Sequence, residues 1–333
     1  MNKFTLIITV LASSTLYICT SCNKEESLTS PYIEGLTIDN YPVIDGSTST
    51  LPLNTIITCE LLGLNYQWVE NRQTEGYETT VWWSVEPEIK SNLKRTFDRC
   101  IKSSQTHHSF INLIDKEVDI TITVRTMSPD EKAYAAAKGI TLIETPIAID
   151  AFIVIINPEN QLYGLTTEEI QGIYTGKITD WKELGWGGLE AYPGYTQISP
   201  FIRDPNSGSQ ELMDLLIMKD LEYINLPIYE DNLIWTMMGM VNRIASDPYA
   251  IGYTVYYYND RILRTGDNLK TIAIDGVYPN KQTISDRSYP YTAEVYAVIR
   301  SDTDRSSMAY KIYEWLQTEA GRKAISKSGY TLN

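Results

Sequence analysis

The chain contains few of the residues on which metal and thiol chemistry depend. Among its 333 residues there are only two histidines, the adjacent His107 and His108, which cannot both face one metal from a helix or a strand. Beyond residue 22 the only cysteines are Cys59 and Cys100, which form no CxxC pair and no zinc-type cluster. We therefore expect neither a metal nor a cofactor. No nucleophile–base–orienter set is visible either, so we do not expect an enzyme.

Positive charge is also scarce. The 28 Lys and Arg residues are outnumbered by 42 Asp and Glu residues, which gives a formal net charge of −14. Nucleic acids are bound through clustered Lys and Arg, so we expect no nucleic-acid partner. Hydrophobic residues make up 43% of the chain, as in a folded globular protein, and 333 residues suffice for two lobes of ordinary size.

The N-terminus lacks an apolar run long enough to span a membrane. Lys3 is followed by a modest apolar stretch, 4–18, which is shorter than the ~20 residues of a membrane helix. Residues 1–21 are therefore interpreted as an export signal. Ser21 before Cys22 resembles a bacterial lipobox, which predicts acylation of Cys22 and a tether over 22–40; the alternative is ordinary cleavage with an unmodified cysteine. The Lys-Glu-Glu of 24–26 is similar to a surface-export signal of some lipoproteins, which leaves open the periplasmic face or the cell surface.

The two remaining cysteines allow two interpretations. In an exported protein Cys59 and Cys100 are able to form one disulfide. Cysteine is also among the most buried residue types, so two buried free thiols are an equal alternative.

Strand-like and helix-like segments alternate along the chain, which favours an α/β architecture. Capping boxes at Ser128–Glu131 and Thr166–Glu169 predict two helix starts. Strands are expected at 41–45, 141–144, 148–156, 201–202 and 250–255, and further helices at 51–62, 211–219 and from about 306 to 315.

Two loops between a strand and a helix are candidates for anion binding. In the second loop, 203–210, Ser207 is placed to cap a helix whose first N–H groups are unpaired, while Arg203 precedes it by four residues. Gly208 would let a ligand approach the backbone, and Ser209 adds a hydroxyl donor. The alternative is a capped helix with a solvated arginine. The first loop, 46–50, offers four consecutive hydroxyl residues.

At these loops the sequence resembles a known family. Residues 44–49 (IDGSTS), 109–125 and 165–185, together with Arg203 and the Ser-Gly-Ser of 207–209, are similar to the PstS-like phosphate-binding proteins of bacterial ABC transporters. These belong to the type 2 periplasmic binding proteins. The resemblance spans 41–333 and implies a two-lobed α/β fold, each lobe a sheet flanked by helices, with the ligand in the cleft between them.

The resemblance also implies lobe boundaries and ligand contacts. Lobe 1 is expected to comprise 41–150 and 292–333, and lobe 2 to comprise 151–291. The ligand-binding residues that it implies are Ser47, Thr48, Ser49, Thr123, Arg125, Arg203, Ser207, Gly208 and Ser209.

Some positions depart from the family pattern. Val124 stands where many phosphate binders carry an acidic acceptor for the phosphate proton, and Pro205 or Asn206 replaces a second acidic residue. Without such an acceptor, a fully deprotonated oxyanion is not penalised. We assign the two histidines to the rim of the site, and Trp82 and Trp83 to the core.

These features predict a monomeric lipoprotein, exported and anchored at Cys22, that captures phosphate by hinge closure and passes it to an ABC transporter permease. The alternatives are a binder or sensor of another oxyanion, a surface lipoprotein that contacts a partner, and a phosphohydrolase.

Overall fold

The computed structural model describes residues 28–75, 78–224, 233–234, 236–264 and 268–332. The expected signal 1–21 and the lipidation site Cys22 lie outside the described residues. Within the described part of the chain, no helix has both the length and the apolar character needed to cross a membrane.

Helices and strands alternate over most of the described chain. The helices are α1 (Leu51–Leu61), α2 (Ser91–Cys100), α3 (Thr106–Ile114), α4 (Pro129–Ala137), α5 (Thr167–Tyr174), α6 (Gly208–Leu212), α7 (Met237–Ser246), α8 (Lys281–Ser285), α9 (Met308–Trp315) and α10 (Glu319–Ser328). The strands are β1 (Ile44–Gly46), β2 (Tyr66–Glu75), β3 (Glu78–Pro87), β4 (Ile120–Thr123), β5 (Leu142–Ile156), β6 (Gly164–Leu165), β7 (Ser199–Pro200), β8 (Ile202–Arg203), β9 (Leu233–Ile234), β10 (Ala250–Val255), β11 (Lys270–Thr271), β12 (Ala273–Ile274) and β13 (Thr292–Arg300).

One sheet organises the fold. Its strands lie in the order β1-β4-β13-β5-β10-β7, with β11 also paired to β5. The long strand β5 changes partner along its length: Leu142–Ala151 pair with β13, and Phe152–Ile156 pair with β10. Strand β5 therefore connects the β1–β4–β13 half of the sheet to the β10–β7 half. The lobe boundaries expected at 150/151 and 291/292 remain predictions.

Strand β5 is continuous where the sequence predicted two strands with a break at 145–147. Pro146 lies at the expected break and pairs with Tyr296, and the register with β13 shifts between Val295 and Tyr296. Proline cannot donate a ladder hydrogen bond and is tolerated at such irregularities. A local register shift thus accommodates Pro146, and the strand continues beyond it. Its inner residues, 147–156, are all buried, as the apolar run predicted.

The helix-start predictions are confirmed at two places. Ser128 and Glu131 form the capping box of α4, and Thr166 and Glu169 form that of α5. The helix expected over 211–219 begins earlier, at Gly208, and continues beyond α6 as a π-helix, Met213–Met218.

The second half of the expected tether is part of the folded core. Ile33, Leu36 and Ile38 are buried within the main hydrophobic cluster, and the Tyr32 ring lies 5.5 Å from that of Trp315. The tether assignment is therefore wrong for residues 32–38, because their apolar side chains pack against the domain.

Cys59 and Cys100 are buried free thiols and form no disulfide. Burial raises the pKa of Cys59 to about 12 and that of Cys100 to about 11. The sequence left open a disulfide or two buried free thiols, and the structure contains the two buried free thiols.

A long antiparallel hairpin was not anticipated. Strands β2 and β3 pair along ten positions, from Tyr66 opposite Pro87 to Glu75 opposite Glu78. Its second strand packs against α1 and against the π-helix Tyr258–Leu263.

Candidate anion-binding site

A cavity of about 200 Å³ lies between the loop after β1 and the start of α6. Seven of the nine predicted ligand-binding residues line it: Ser47, Thr48, Ser49, Arg203, Ser207, Gly208 and Ser209. The remaining lining residues come from four further segments: Gln105, Thr106, Val124, Thr236, Met237, Met238, Val255 and Tyr258. The structure therefore brings the two candidate loops together around one space.

Parallel pairing explains why the first loop and Val124 meet. Strands β1 and β4 are parallel neighbours, with Ile44 opposite Ile120 and Gly46 opposite Ile122. Carboxyl ends of parallel strands lie at the same sheet edge, which is where ligands bind in open α/β sheets. Val124 follows β4 at this edge and faces the cavity, at the position where the family resemblance places an acidic acceptor.

The first loop is fixed by hydrogen bonds within it and to the sheet. The hydroxyl oxygens of Ser47 and Ser49 are 3.0 Å apart, and Thr50 Oγ1 donates to the Ile122 carbonyl at 2.8 Å. Ser47, Ser49 and Thr50 are buried. Their hydroxyl groups are held in place before any ligand arrives, which lowers the entropy cost of binding.

A buried carboxylate ties the first loop to the segment before α3. Asp45 Oδ1 accepts hydrogen bonds from the backbone N–H groups of Gly46 at 2.8 Å and Ser104 at 2.9 Å. Its Oδ2 accepts from Asn112 Nδ2 at 2.9 Å. Asp45 thus satisfies its charge locally and positions Gln105 and Thr106 beside the first loop.

The second candidate loop places an arginine and two hydroxyl groups in the cavity. Ser207 caps α6, with Gln210 N donating to Ser207 Oγ at 3.4 Å, and the Ser207 and Ser209 hydroxyl oxygens are 3.0 Å apart. Arg203 is 4% exposed, and its Nε donates to the Ile234 carbonyl at 3.0 Å. Its backbone N–H is held by Gln210 Oε1 and by the Tyr253 hydroxyl.

Arg203 dominates the electrostatics of the cavity. Among the described residues that line it, Arg203 alone carries a charge, and eight others carry hydroxyl groups. Burial lowers the pKa of its guanidinium, but an arginine keeps its proton in proteins. A buried positive charge surrounded by neutral donors favours a small oxyanion, because each ligand oxygen is able to accept a hydrogen bond.

Thr123 and Arg125 do not line the cavity. Arg125 forms a two-point ion pair with Glu131, each N–O distance being 2.8 Å, and its Nη2 also lies 3.2 Å from Glu211 Oε2. Thr123 Oγ1 donates to the Arg125 carbonyl oxygen at 2.9 Å. In this structure the side chains of both residues bond to other protein groups, so their role in ligand binding remains a prediction.

The histidines also point elsewhere. His107 Nδ1 lies 3.0 Å from Glu131 Oε1, and neither His107 nor His108 lines the cavity. Among the described residues, no cluster of three His, Cys, Asp or Glu side chains is arranged to hold a metal ion.

Several lining residues were missed from the sequence. Thr106 is the first residue of α3, and the preceding Gln105 adopts a φ of 66°, in the left-handed region that favours glycine. The one signal for them came from the family resemblance, which implies a Gly/Ser-rich turn where this chain has the segment 104–108. Thr236 and Met238, at the start of α7, and Tyr258 carried no recognisable motif.

The fold and the site define a two-lobed binding protein of mixed α/β architecture, with the candidate ligand cavity between the loop after β1 and the start of α6. A family model described as the PBP superfamily domain matches residues 89–318, and the chain belongs to that superfamily. The periplasmic binding protein fold expected from the sequence is thereby confirmed.

Two of the relatives that the chain matches are named PstS. The chain is 25% identical to the phosphate-binding protein PstS of Borreliella burgdorferi over 99% of its own length and 98% of the relative. It is 26% identical to PstS of Bacillus subtilis over 60% of each chain. The resemblance to PstS-like proteins is confirmed.

Solved structures share the fold. A substrate-binding protein with bound phosphate from Clostridium perfringens superposes with a TM-score of 0.62 at 20% identity, over 88% of this chain and 99% of the other. An ABC-type phosphate transport receptor from Vibrio cholerae has a TM-score of 0.58 at 18% identity, over 88% and 100%.

Proposed function

We propose that this protein captures inorganic phosphate in the cavity around Arg203 by closure of its two lobes, and delivers it to an ABC transporter. The observation that carries the proposal is the convergence of Ser47–Ser49 and Ser207–Ser209 on one buried arginine. The PstS relatives, one of them matched along nearly its whole length, support the same ligand class.

The hydroxyl groups suit a ligand that carries a proton. Hydrogen phosphate both accepts and donates hydrogen bonds, and a serine or threonine hydroxyl is able to do either. A carboxylate acceptor is absent from the described lining, where Val124 occupies the expected position. We therefore expect phosphate and arsenate to bind, and sulfate to be rejected less strongly than by a site with an acidic acceptor.

Calorimetric titration of the purified protein with phosphate, arsenate and sulfate tests the proposal. Arg203→Gln should weaken phosphate binding at least about tenfold, because it removes the one charge in the described lining. The exposed Arg305→Gln provides a control of equal charge change and should bind as the wild type does. Absence of heat with all three anions would refute the proposal.

Export and anchoring form the second part of the proposal. The signal 1–21 and the lipobox-like Cys22 support export and acylation, on the periplasmic face or at the cell surface. The protein would act as a monomer beside a permease and perform no chemistry on its ligand. Cys22→Ala should abolish incorporation of labelled fatty acid and release the protein from the membrane fraction; unchanged fractionation would contradict the anchor.

A further inference from the structure

A second, larger cavity adjoins the anion cavity. Its volume is about 570 Å³, within the range of small-molecule sites. Thr48, Thr236, Met238 and Tyr258 line both cavities, so the two spaces meet at these side chains. Whatever occupies the anion cavity therefore has access to the larger one.

The anion alone does not need this space. At about 30 Å³ per water-sized group, an oxyanion of five heavy atoms needs on the order of 150 Å³, which the 200 Å³ cavity supplies. The larger cavity has room for roughly 20 further non-hydrogen atoms by the same measure.

The lining of the larger cavity differs in character. Its walls include Leu51 and Pro52 at the start of α1, Ile262, and the neighbouring tryptophans Trp82 and Trp83 of β3. None of the described residues that line it carries a charge. The other lining residues include uncharged polar side chains such as Thr55 and Gln73. The cavity therefore suits an apolar or aromatic group and supplies no opposite charge to a second anion.

The tryptophan wall is held in place by contacts with the rest of the protein. The guanidinium of Arg264 lies 3.9 Å from the ring centroid of Trp83 and 5.3 Å from that of Trp68. Trp82 packs against the main core. Two positions earlier on the same strand, Thr80 Oγ1 lies 3.4 Å from Asn242 Nδ2 of α7. Both tryptophans nevertheless remain half-buried, so the assignment of the pair to the core is wrong for Trp83 and only partly right for Trp82.

We propose that the two cavities form one site for a phosphate monoester, with the phosphoryl group beside Arg203 and an aromatic or apolar group against Trp82 and Trp83. A monoester keeps three unesterified phosphoryl oxygens and its negative charge, so the donors of the anion cavity are still used. This inference rests on the proposed function of that cavity and extends its ligand class from inorganic phosphate to phosphate monoesters.

Competition titration with inorganic phosphate, methyl phosphate and phenyl phosphate tests the inference. Phenyl phosphate should bind at least about tenfold more tightly than methyl phosphate, because only its ring reaches the tryptophans. Trp82→Ala should remove most of that difference and leave the affinity for inorganic phosphate within about twofold. Thr79→Ala, an exposed position on the same strand outside this cavity, is the matched control.

Because Trp82 contacts the core, Trp82→Ala could fail to fold, and a second variant tests the inference independently. Thr80→Trp adds a large side chain in the same wall and should block phenyl phosphate selectively while inorganic phosphate still binds. Equal affinities for phenyl and methyl phosphate, with inorganic phosphate bound normally, would overturn the inference and leave the proposed function intact. Failure of all three ligands to bind would instead overturn the proposed function and, with it, the inference.

Discussion

The backbone of Gly208 lies against the side chain of Thr106 in the wall of the anion cavity. A Cβ atom at residue 208 would lie 2.5 Å from Thr106 Oγ1 and 3.3 Å from its Cβ. Gly208 does not have a positive φ, so the position requires glycine for space and not for backbone conformation. The pair therefore determines how closely α3 and α6 approach each other.

Gly208→Ala should weaken phosphate binding by about tenfold, because the new methyl group separates the loops that supply the donors. Calorimetric titration measures the loss. Thr106→Ala removes the clashing oxygen, so Gly208→Ala should cost clearly less in a Thr106→Ala background. Equal losses in the two backgrounds would show that Thr106 is not what restricts residue 208.

Arg125→Ala should lower the free energy of unfolding by about 3 kcal/mol, because it leaves the buried Glu131 carboxylate without its ion-pair partner. Urea unfolding measures the change. Phosphate affinity at a temperature where the variant is folded should stay near the wild-type value. A stable variant with lost binding would instead assign Arg125 to the ligand, as the family resemblance implies.

The candidate site was predictable where one local motif supplied both donors and geometry. The stretches 47–49 and 207–209 each combine hydroxyl residues with a strand-to-helix turn, and both line the cavity. Arg125 shows the limit of that reasoning. Its partner Glu131 was recognised as a capping residue of α4, but the sequence does not reveal that the same carboxylate reaches back to a guanidinium six positions earlier.

The fold was predictable where a capping motif or a buried apolar run marked an element, as the capping boxes did for α4 and α5 and the apolar run did for β10. The hairpin was not. Strand β3 combines tryptophans with polar residues, and both of its faces are occupied, one tryptophan contacting the core and the other Arg264. The sequence of β3 therefore does not alternate regularly between apolar and polar residues, and both Trp82 and Trp83 were interpreted as core residues. Non-local packing of this kind leaves no periodic signal.

Cys59 and Cys100 should resist alkylation in the native protein and react only after unfolding. Burial and pKa values of about 12 and 11 keep both thiols protonated at neutral pH, and the thiolate is the reactive form. Mass-spectrometric mapping of iodoacetamide adducts, with and without urea but without reductant, measures this. A mass two daltons lower, with no adduct at either cysteine in urea, would show a disulfide.

Asp150 should make the protein less stable as the pH rises from about 4 to about 7. It is buried in β5, where pairing passes from β13 to β10, and its Oδ1 accepts from the N–H groups of Ala151 and Tyr257. Burial raises its pKa to about 7 from 3.8, so between these values the folded state holds a proton that the unfolded state has lost. The stability lost on deprotonation is on the order of 2–4 kcal/mol. Asp150→Asn preserves an oxygen acceptor but does not titrate, so its free energy of unfolding in urea should change less between pH 5 and pH 8. Identical pH dependence in the wild type and the variant would show that Asp150 is ionised in the folded protein throughout this range.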